Sequence, residues 1–293
     1  MAVLSRVLRD AAETAEMIKL KHTVFALPFA LISLLTAAGR GWPEARVWLW
    51  VVVAMVGART AAMTFNRLLD HRIDAANPRT RERALPAGRL SRGFAWGVVV
   101  VASGVFVFAA GRLNGLCLAL SPLALAWVLG YSFSKRFTAL AHLWLGLGLG
   151  IAPVGAWLAV TGRFAVAPLV LAAAVACWVA GFDVIYSLQD EAFDREHGLH
   201  SLPARLGAGR ALAVARLSHL AAAAGFLAFA LMAGGGPWRL AAAAAAGGLL
   251  LWQHRLVHPE DLSRVDAAFF TANGILSVIM CVLFLFAKMH AAP

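Results

Sequence analysis

Six polar residues of this 293-residue chain stand in two groups with one spacing: Asn66, Asp70 and Asp74, and then, 120 positions later, Tyr186, Asp190 and Asp194. On a helix a four-residue step turns through about 400°, so the two carboxylates of each group lie one turn apart on one face. Like charges at that spacing repel, and more strongly at a membrane boundary than in water, so the arrangement is unfavourable without a cation to hold. Magnesium takes one or two carboxylates and fills its shell with water and phosphate oxygens. Two opposed pairs therefore predict a cradle for a Mg2+-diphosphate, with Asn66, Asp70, Asp74, Asp190 and Asp194 as ligands. Each group precedes a Leu-Pro-Ala and further arginines. Arg72, Arg79, Arg81 and Arg83, with Lys135 and Arg136, are expected to clamp the remaining phosphate charge and stabilise diphosphate as a leaving group.

Three further side chains, and Tyr186 itself, sit where chemistry is possible. Arg59 precedes Asn66 by seven residues, which places it near the same face and about 10 Å deeper. It suits an anchor for an acidic aromatic substrate, a counter-ion for the aspartates, or a structural ion pair. Asp183 precedes Asp190 by the same interval and is a candidate general base, a partner for Arg59, or a structural hydrogen-bond acceptor. Tyr186, one turn before Asp190, could bond phosphate, stabilise a carbocation with its ring, or belong to an interfacial belt. His22, beside Lys21, could contact substrate or a lipid headgroup.

The elements that must position these groups are transmembrane helices. Hydrophobic residues make up 61% of the chain and charged residues 14%, against about 25% charged in a soluble domain. Apolar runs at about 23–39, 45–66, 93–111, 113–132, 140–162, 164–186, 210–234, 238–254 and 267–288 predict nine spans and an all-α fold around a central cavity. With the N-terminus inside, nineteen of the 26 cations fall on the inner side and six on the outer, which predicts a cytoplasmic N-terminus and an external C-terminus. The net charge of +11 thus reflects topology, and no nucleic-acid partner is expected. Cys117, Cys177 and Cys281 lie in apolar runs without metal-site spacing. The first 22 residues mix both charges and lack the apolar run of a signal peptide. The whole of 1–293 reads as one transmembrane domain, two four-helix halves and a ninth helix, and Gly146 to Gly150 in the fifth run would allow close helix packing.

At these residues the chain resembles the UbiA superfamily of intramembrane prenyltransferases. The likeness rests on Asn66, Asp70 and Asp74, the Arg79–Ser91 segment, Tyr131 to Arg136, and then Asp183, Tyr186, Asp190, Asp194 and Gly198 to Ser201, all in family order. It covers about residues 15 to 290. Arg67 after Asn66 and His200 before Ser201 depart from the pattern of many members. The resemblance implies a helical bundle with a cavity open to lipid, Mg2+ and an isoprenyl diphosphate at its cytoplasmic mouth, and an aromatic acid beneath. The chain looks most like the 4-hydroxybenzoate polyprenyltransferases of ubiquinone synthesis, with segments similar to a subgroup that serves menaquinone synthesis from a dihydroxynaphthoate. Heme as acceptor, within the same superfamily, is one alternative. An ion-coupled transporter is another, although transporter sites lie near the membrane midplane rather than at helix ends.

Overall fold

The computed structural model describes Glu13, Thr14 and residues 25–290. These form an all-helical membrane protein, with no strand among the described residues. The long helices are α1 (Leu27–Ala37), α2 (Ala45–Leu69), α4 (Arg92–Leu113), α5 (Gly115–Ser134), α6 (Ala141–Thr161), α7 (Val166–Ser187), α10 (Ala208–Met232), α11 (Pro237–Arg255) and α12 (Asn273–Met289). Short helices α3 (His71–Ala76), α8 (Glu191–Glu196) and α9 (Leu202–Leu206) lie at the end of the bundle that carries the aspartates.

Seven segments are long and apolar enough to cross a membrane, each within three residues of an expected span at its start. The other two of the nine are not counted among them. Only eleven residues of α1 are described as helix, and α11 is Ala- and Gly-rich and ends in Gln253-His254-Arg255.

Helix α7 is the most deeply embedded, with Leu171, Val175, Trp178, Val179 and Ile185 fully enclosed, as expected of a helix apolar on every side. Glycines let α6 reach it. A Cβ at Gly146 would come within 2.2 Å of the Ala176 carbonyl oxygen, and one at Gly150 within 2.8 Å of that of Ala172. Small residues replace the hydrophobic effect as the means of helix association in lipid, by permitting close van der Waals contact. Around α7, Phe29 of α1 and Phe226 of α10 stack at 5.5 Å, and Leu123, Val100 and Leu217 are among the apolar side chains that face outward.

The last span opens with a wide π-type turn, Ala267–Ala272. Such turns loosen the regular ladder, and the freed carbonyls need other donors. Gln253 Nε2 donates to the Ala268 oxygen at 2.9 Å, and Asn273 Nδ2 to that of Phe269 at 2.8 Å. Asn273 Oδ1 in turn accepts from Trp178 Nε1 at 2.7 Å. The turn delivers Phe269 onto Tyr186, with ring centroids 4.1 Å apart.

Candidate active site

Asp70 closes α2 and Asp190 closes the single 3-10 turn, Leu188–Asp190, that follows α7. In both groups the first aspartate therefore sits at a helix break and the second lies in the next short helix, Asp74 in α3 and Asp194 in α8. The expectation of one continuous helix is corrected, while the one-turn offset of Asp70 and Asp74 survives through the Asp74 N–H to Asp70 carbonyl bond of 2.7 Å.

Asp70 is 2% exposed and receives three donors. Lys135 Nζ lies 2.5 Å from Oδ2, Arg136 Nη2 2.9 Å from Oδ1, and Asn66 Nδ2 3.2 Å from Oδ2. Arg136 also donates to the carbonyls of Leu69 and Ser132, closing the last turns of α2 and α5 where a cation is favoured. Asp74 pairs with Arg83 at 2.7 Å through Oδ1, and Arg67 stands 3.8 Å from Oδ2. That Oδ2 is buried and has no hydrogen-bond partner among the described residues.

The loop after α3 reaches the second group. Asn77 stops α3 ahead of Pro78, and its side chain holds the Arg79 N–H at 2.9 Å while donating to Asp190 Oδ1 at 3.0 Å. Arg79 makes a two-pronged contact with Asp190, through Nε at 3.0 Å and through Nη2, and Nη1 reaches the Tyr186 hydroxyl at 3.1 Å. Burial works against its charge, but Asp190, with Tyr186, holds the guanidinium above the ordinary arginine range. Ala84, Leu85 and Leu90 pack on Leu68, Ala95 and Val99, so the loop has a small apolar base of its own. Asp194 lies beside Ser201.

Asp183 stands on α7 with Oδ2 2.7 Å from Nδ1 of His142, in the first turn of α6. Tyr131 lies within electrostatic range of Asp70, Asp183 and Arg67. It also borders a cavity of about 570 Å³ between α2, α4, α5, α6 and one face of α7. The chamber is almost wholly apolar, and Arg59 and Asn66 face it from one side of α2 as their seven-residue spacing requires. Tyr186, Asp190 and Asp194 do not border it.

Two expected site residues are placed elsewhere. Arg72 is exposed and joins no hydrogen bond or ion pair at the site among the described residues. Two positions from Asp70 it is turned about 200° away on the helix. Arg81 is likewise directed to Glu82, at 3.7 Å. His22 lies outside the described residues. The four aspartates do not share one point: among the described residues, no three His, Cys, Asp or Glu side chains converge on a common ion position. The all-oxygen donor set and the orphaned buried Oδ2 of Asp74 fit a hard divalent cation that completes its shell with water and phosphate.

Three participants escaped the sequence reading. Asn77 and Arg67 lay in the motif region but carried no periodic signal, and His142 meets Asp183 across 41 residues. A histidine at the start of an otherwise apolar span was the only available hint for the last.

Residues 26–275 match the UbiA prenyltransferase family. The 4-hydroxybenzoate octaprenyltransferase of Nitrosospira multiformis is 30% identical over 242 residues, 83% of each chain, and that of Vibrio atlanticus is 28% identical over 90% of this chain and 92% of its own. Among solved structures, the apo UbiA homologue from Aeropyrum pernix K1 superposes with a TM-score of 0.83 at 36% identity, covering 92% of this chain and 98% of that one. A homologue from Archaeoglobus fulgidus bound to DMAPP and Mg2+ shares the fold, with a TM-score of 0.76 at 16% identity over 96% of this chain and all of the other. With the family match spanning most of the chain and the helical bundle superposing on that of the Aeropyrum pernix homologue, the chain belongs to the UbiA prenyltransferase family.

Proposed function

We propose that the protein transfers a polyprenyl group from an isoprenyl diphosphate to the ring of an aromatic acid, a 4-hydroxybenzoate-type acceptor or a dihydroxynaphthoate, in the synthesis of ubiquinone or menaquinone. One observation carries the reading: an apolar chamber has Asn66 and Tyr131 on its wall, Asp70 bonded to that same Asn66, and a single arginine, Arg59, on the same helix face. A long hydrocarbon tail is soluble there. A carboxylate entering with it would find Arg59 as its natural partner.

Mg2+ would be held by Asn66, Asp70 and Asp74 and by Asp190 and Asp194, and it would supply charge neutralisation for the diphosphate. The protein's cations do the rest. Lys135, Arg136, Arg83 and Arg79 each bond an aspartate, so a diphosphate lying between the two pairs meets four donors already in place. As the C1–O bond breaks, its electron pair stays on the diphosphate, and these donors stabilise the growing charge. The Tyr186 ring, stacked on Phe269, offers a π face near the allylic cation. The acceptor carbon ortho to the hydroxyl forms the new C–C bond, and Asp183 takes the ring proton to restore aromaticity. Enclosure among apolar walls keeps water from the cation.

The site faces the cytoplasm in this reading, with the N-terminus cytoplasmic, the C-terminus external and the protein in the inner membrane. The test is prenyl transfer in washed membranes supplied with Mg2+, a labelled isoprenyl diphosphate and, separately, 4-hydroxybenzoate or 1,4-dihydroxynaphthoate acids. Product from one acceptor, lost with EDTA, supports the proposal and names the quinone. No product from folded protein with either acid would overturn it.

A further inference from the structure

We infer that His142 is a positioning residue, whose Nδ1–H fixes the Asp183 carboxylate as the proton acceptor and whose Nε2 ties it to the segment carrying Asp194. The inference rests on the prenyl-transfer reading.

The tautomer follows from donors and acceptors. The Leu202 backbone N–H points at His142 Nε2 at 3.3 Å. A backbone amide only donates, so Nε2 is the unprotonated nitrogen and the proton of the neutral ring is on Nδ1. That N–H donates to Asp183 Oδ2 at 2.7 Å. Only 5% of His142 is exposed, and water cannot readily replace either contact.

The placement gives the ring a task beyond packing. Asp183 keeps 19% of its side chain accessible, so one carboxylate oxygen is fixed by His142 while the group stays reachable. Trp144 and Leu145, the next residues but one and two along α6, border the chamber. On its other side His142 receives the segment that follows Asp194. That segment docks at two points, the Leu202 N–H on His142 and the His200 N–H on the Lys135 carbonyl at 2.8 Å. Lys135 holds Asp70. The loop of the second aspartate pair is therefore registered on the residues that hold Asp70 and Asp183. In the chemical step the ring C–H proton passes to an Asp183 oxygen and the C–H electron pair rejoins the ring. His142 keeps its own proton throughout.

Asparagine and glutamine separate the two contacts. His142→Asn places an amide N–H near the Nδ1 position, and His142→Gln places an amide oxygen near the Nε2 position. Prenyl transfer by the purified, detergent-solubilised enzyme is measured with saturating isoprenyl diphosphate and Mg2+, alongside the KM for each substrate. The Gln variant is expected to lose about ten- to a hundredfold in kcat, as when other orienting partners are removed, with the KM for diphosphate unchanged. The Asn variant is expected to recover most of that loss. Equal impairment of both, or a Gln variant as active as the parent, would overturn the inference. Should the Gln variant fail to fold, the cycle of His142→Ala with Asp183→Asn decides: a positioning role predicts that His142→Ala lowers kcat in the parent but adds no further loss in the Asp183→Asn background, and multiplicative losses would overturn it. A wild-type enzyme that prenylates no aromatic acid defeats the prenyl-transfer reading instead, and is distinguished by that control.

Discussion

Arg79 grips Asp190 across 111 residues of chain, through Nε at 3.0 Å and through Nη2, and so straps the loop after the first aspartate pair onto the second. The guanidinium is one-third exposed and its fork matches a phosphate as well as a carboxylate. In the proposed reaction an incoming diphosphate would share Arg79 with Asp190, and Lys135 and Arg136 with Asp70. Arg79→Ala removes a phosphate donor and leaves Asp190 with Asn77. The expected result is a KM for isoprenyl diphosphate raised about tenfold or more, with the acceptor KM unchanged. Arg79→Lys keeps a charge without the fork and should fall between. Steady-state kinetics with each substrate varied in turn is the check, and a change confined to the acceptor KM would contradict it.

Asp70→Asn and Asp190→Asn should each lower prenyl transfer by about a hundredfold or more, the scale of losing a principal electrostatic group. Stability separates the two. Asp70 is almost fully enclosed and answers two cations, so its loss leaves Lys135 and Arg136 facing a neutral amide and should cost about 2 kcal/mol. Asp190 is more exposed, with one ion-pair partner among the described residues. A larger fall in Tm for Asp190→Asn than for Asp70→Asn would contradict the burial argument. EDTA should abolish activity in the parent and Mg2+ should restore it.

Much of this site could be read along the chain because the groups lie within one helical turn of each other. Asn66 stands in the last turn of α2, Asp70 closes that helix and Asp74 comes one turn later, and Arg59 falls on the face of Asn66 at nearly a multiple of the helical repeat. Arg72 shows the same rule ignored: two positions from Asp70, it belongs on the opposite face of a helix, and it is exposed. The breaks at Asp70 and Asp190 were hidden, because helical periodicity continues through each by a single hydrogen bond or 3-10 turn. His142 and Asn77 were hidden for a different reason. Their partners are 41 and 113 residues away, and such contacts are created by helix packing, which a local pattern does not encode. Close approach of α6 and α7 was legible in the Gly146–Gly150 run, since only a missing Cβ permits it.

That close approach has a direct consequence. Gly146→Ala puts a methyl 2.2 Å from the Ala176 carbonyl oxygen, which α7 cannot yield without shifting the helix that bears Asp183. Overpacking of this kind costs about 1–3 kcal/mol. Gly247→Ala, where a Cβ meets nothing within 4 Å, serves as the matched control. Thermal unfolding in detergent should show a lower Tm for the first and none for the second; equal effects would mean that α6 and α7 are not packed through Gly146.

Arg59 gives the sharpest test of how the acceptor is held. It borders the chamber from the same face of α2 as Asn66, about two turns deeper in the apolar interior. A carboxylate bound there would be held by a charge-assisted pair in a medium where water competes poorly, and such pairs contribute about 1.5–3 kcal/mol. Arg59→Gln should therefore raise the KM for an aromatic acid by about ten- to a hundredfold, while the KM for the diphosphate stays where it was. The control is chemical. A phenol lacking the carboxylate has nothing to offer Arg59, so the mutation should hardly affect its slow prenylation, and the preference for the acid over the phenol should collapse. An Arg59→Gln enzyme that keeps that preference would move the acceptor's carboxylate away from α2 altogether, and would return Arg59 to a purely structural role.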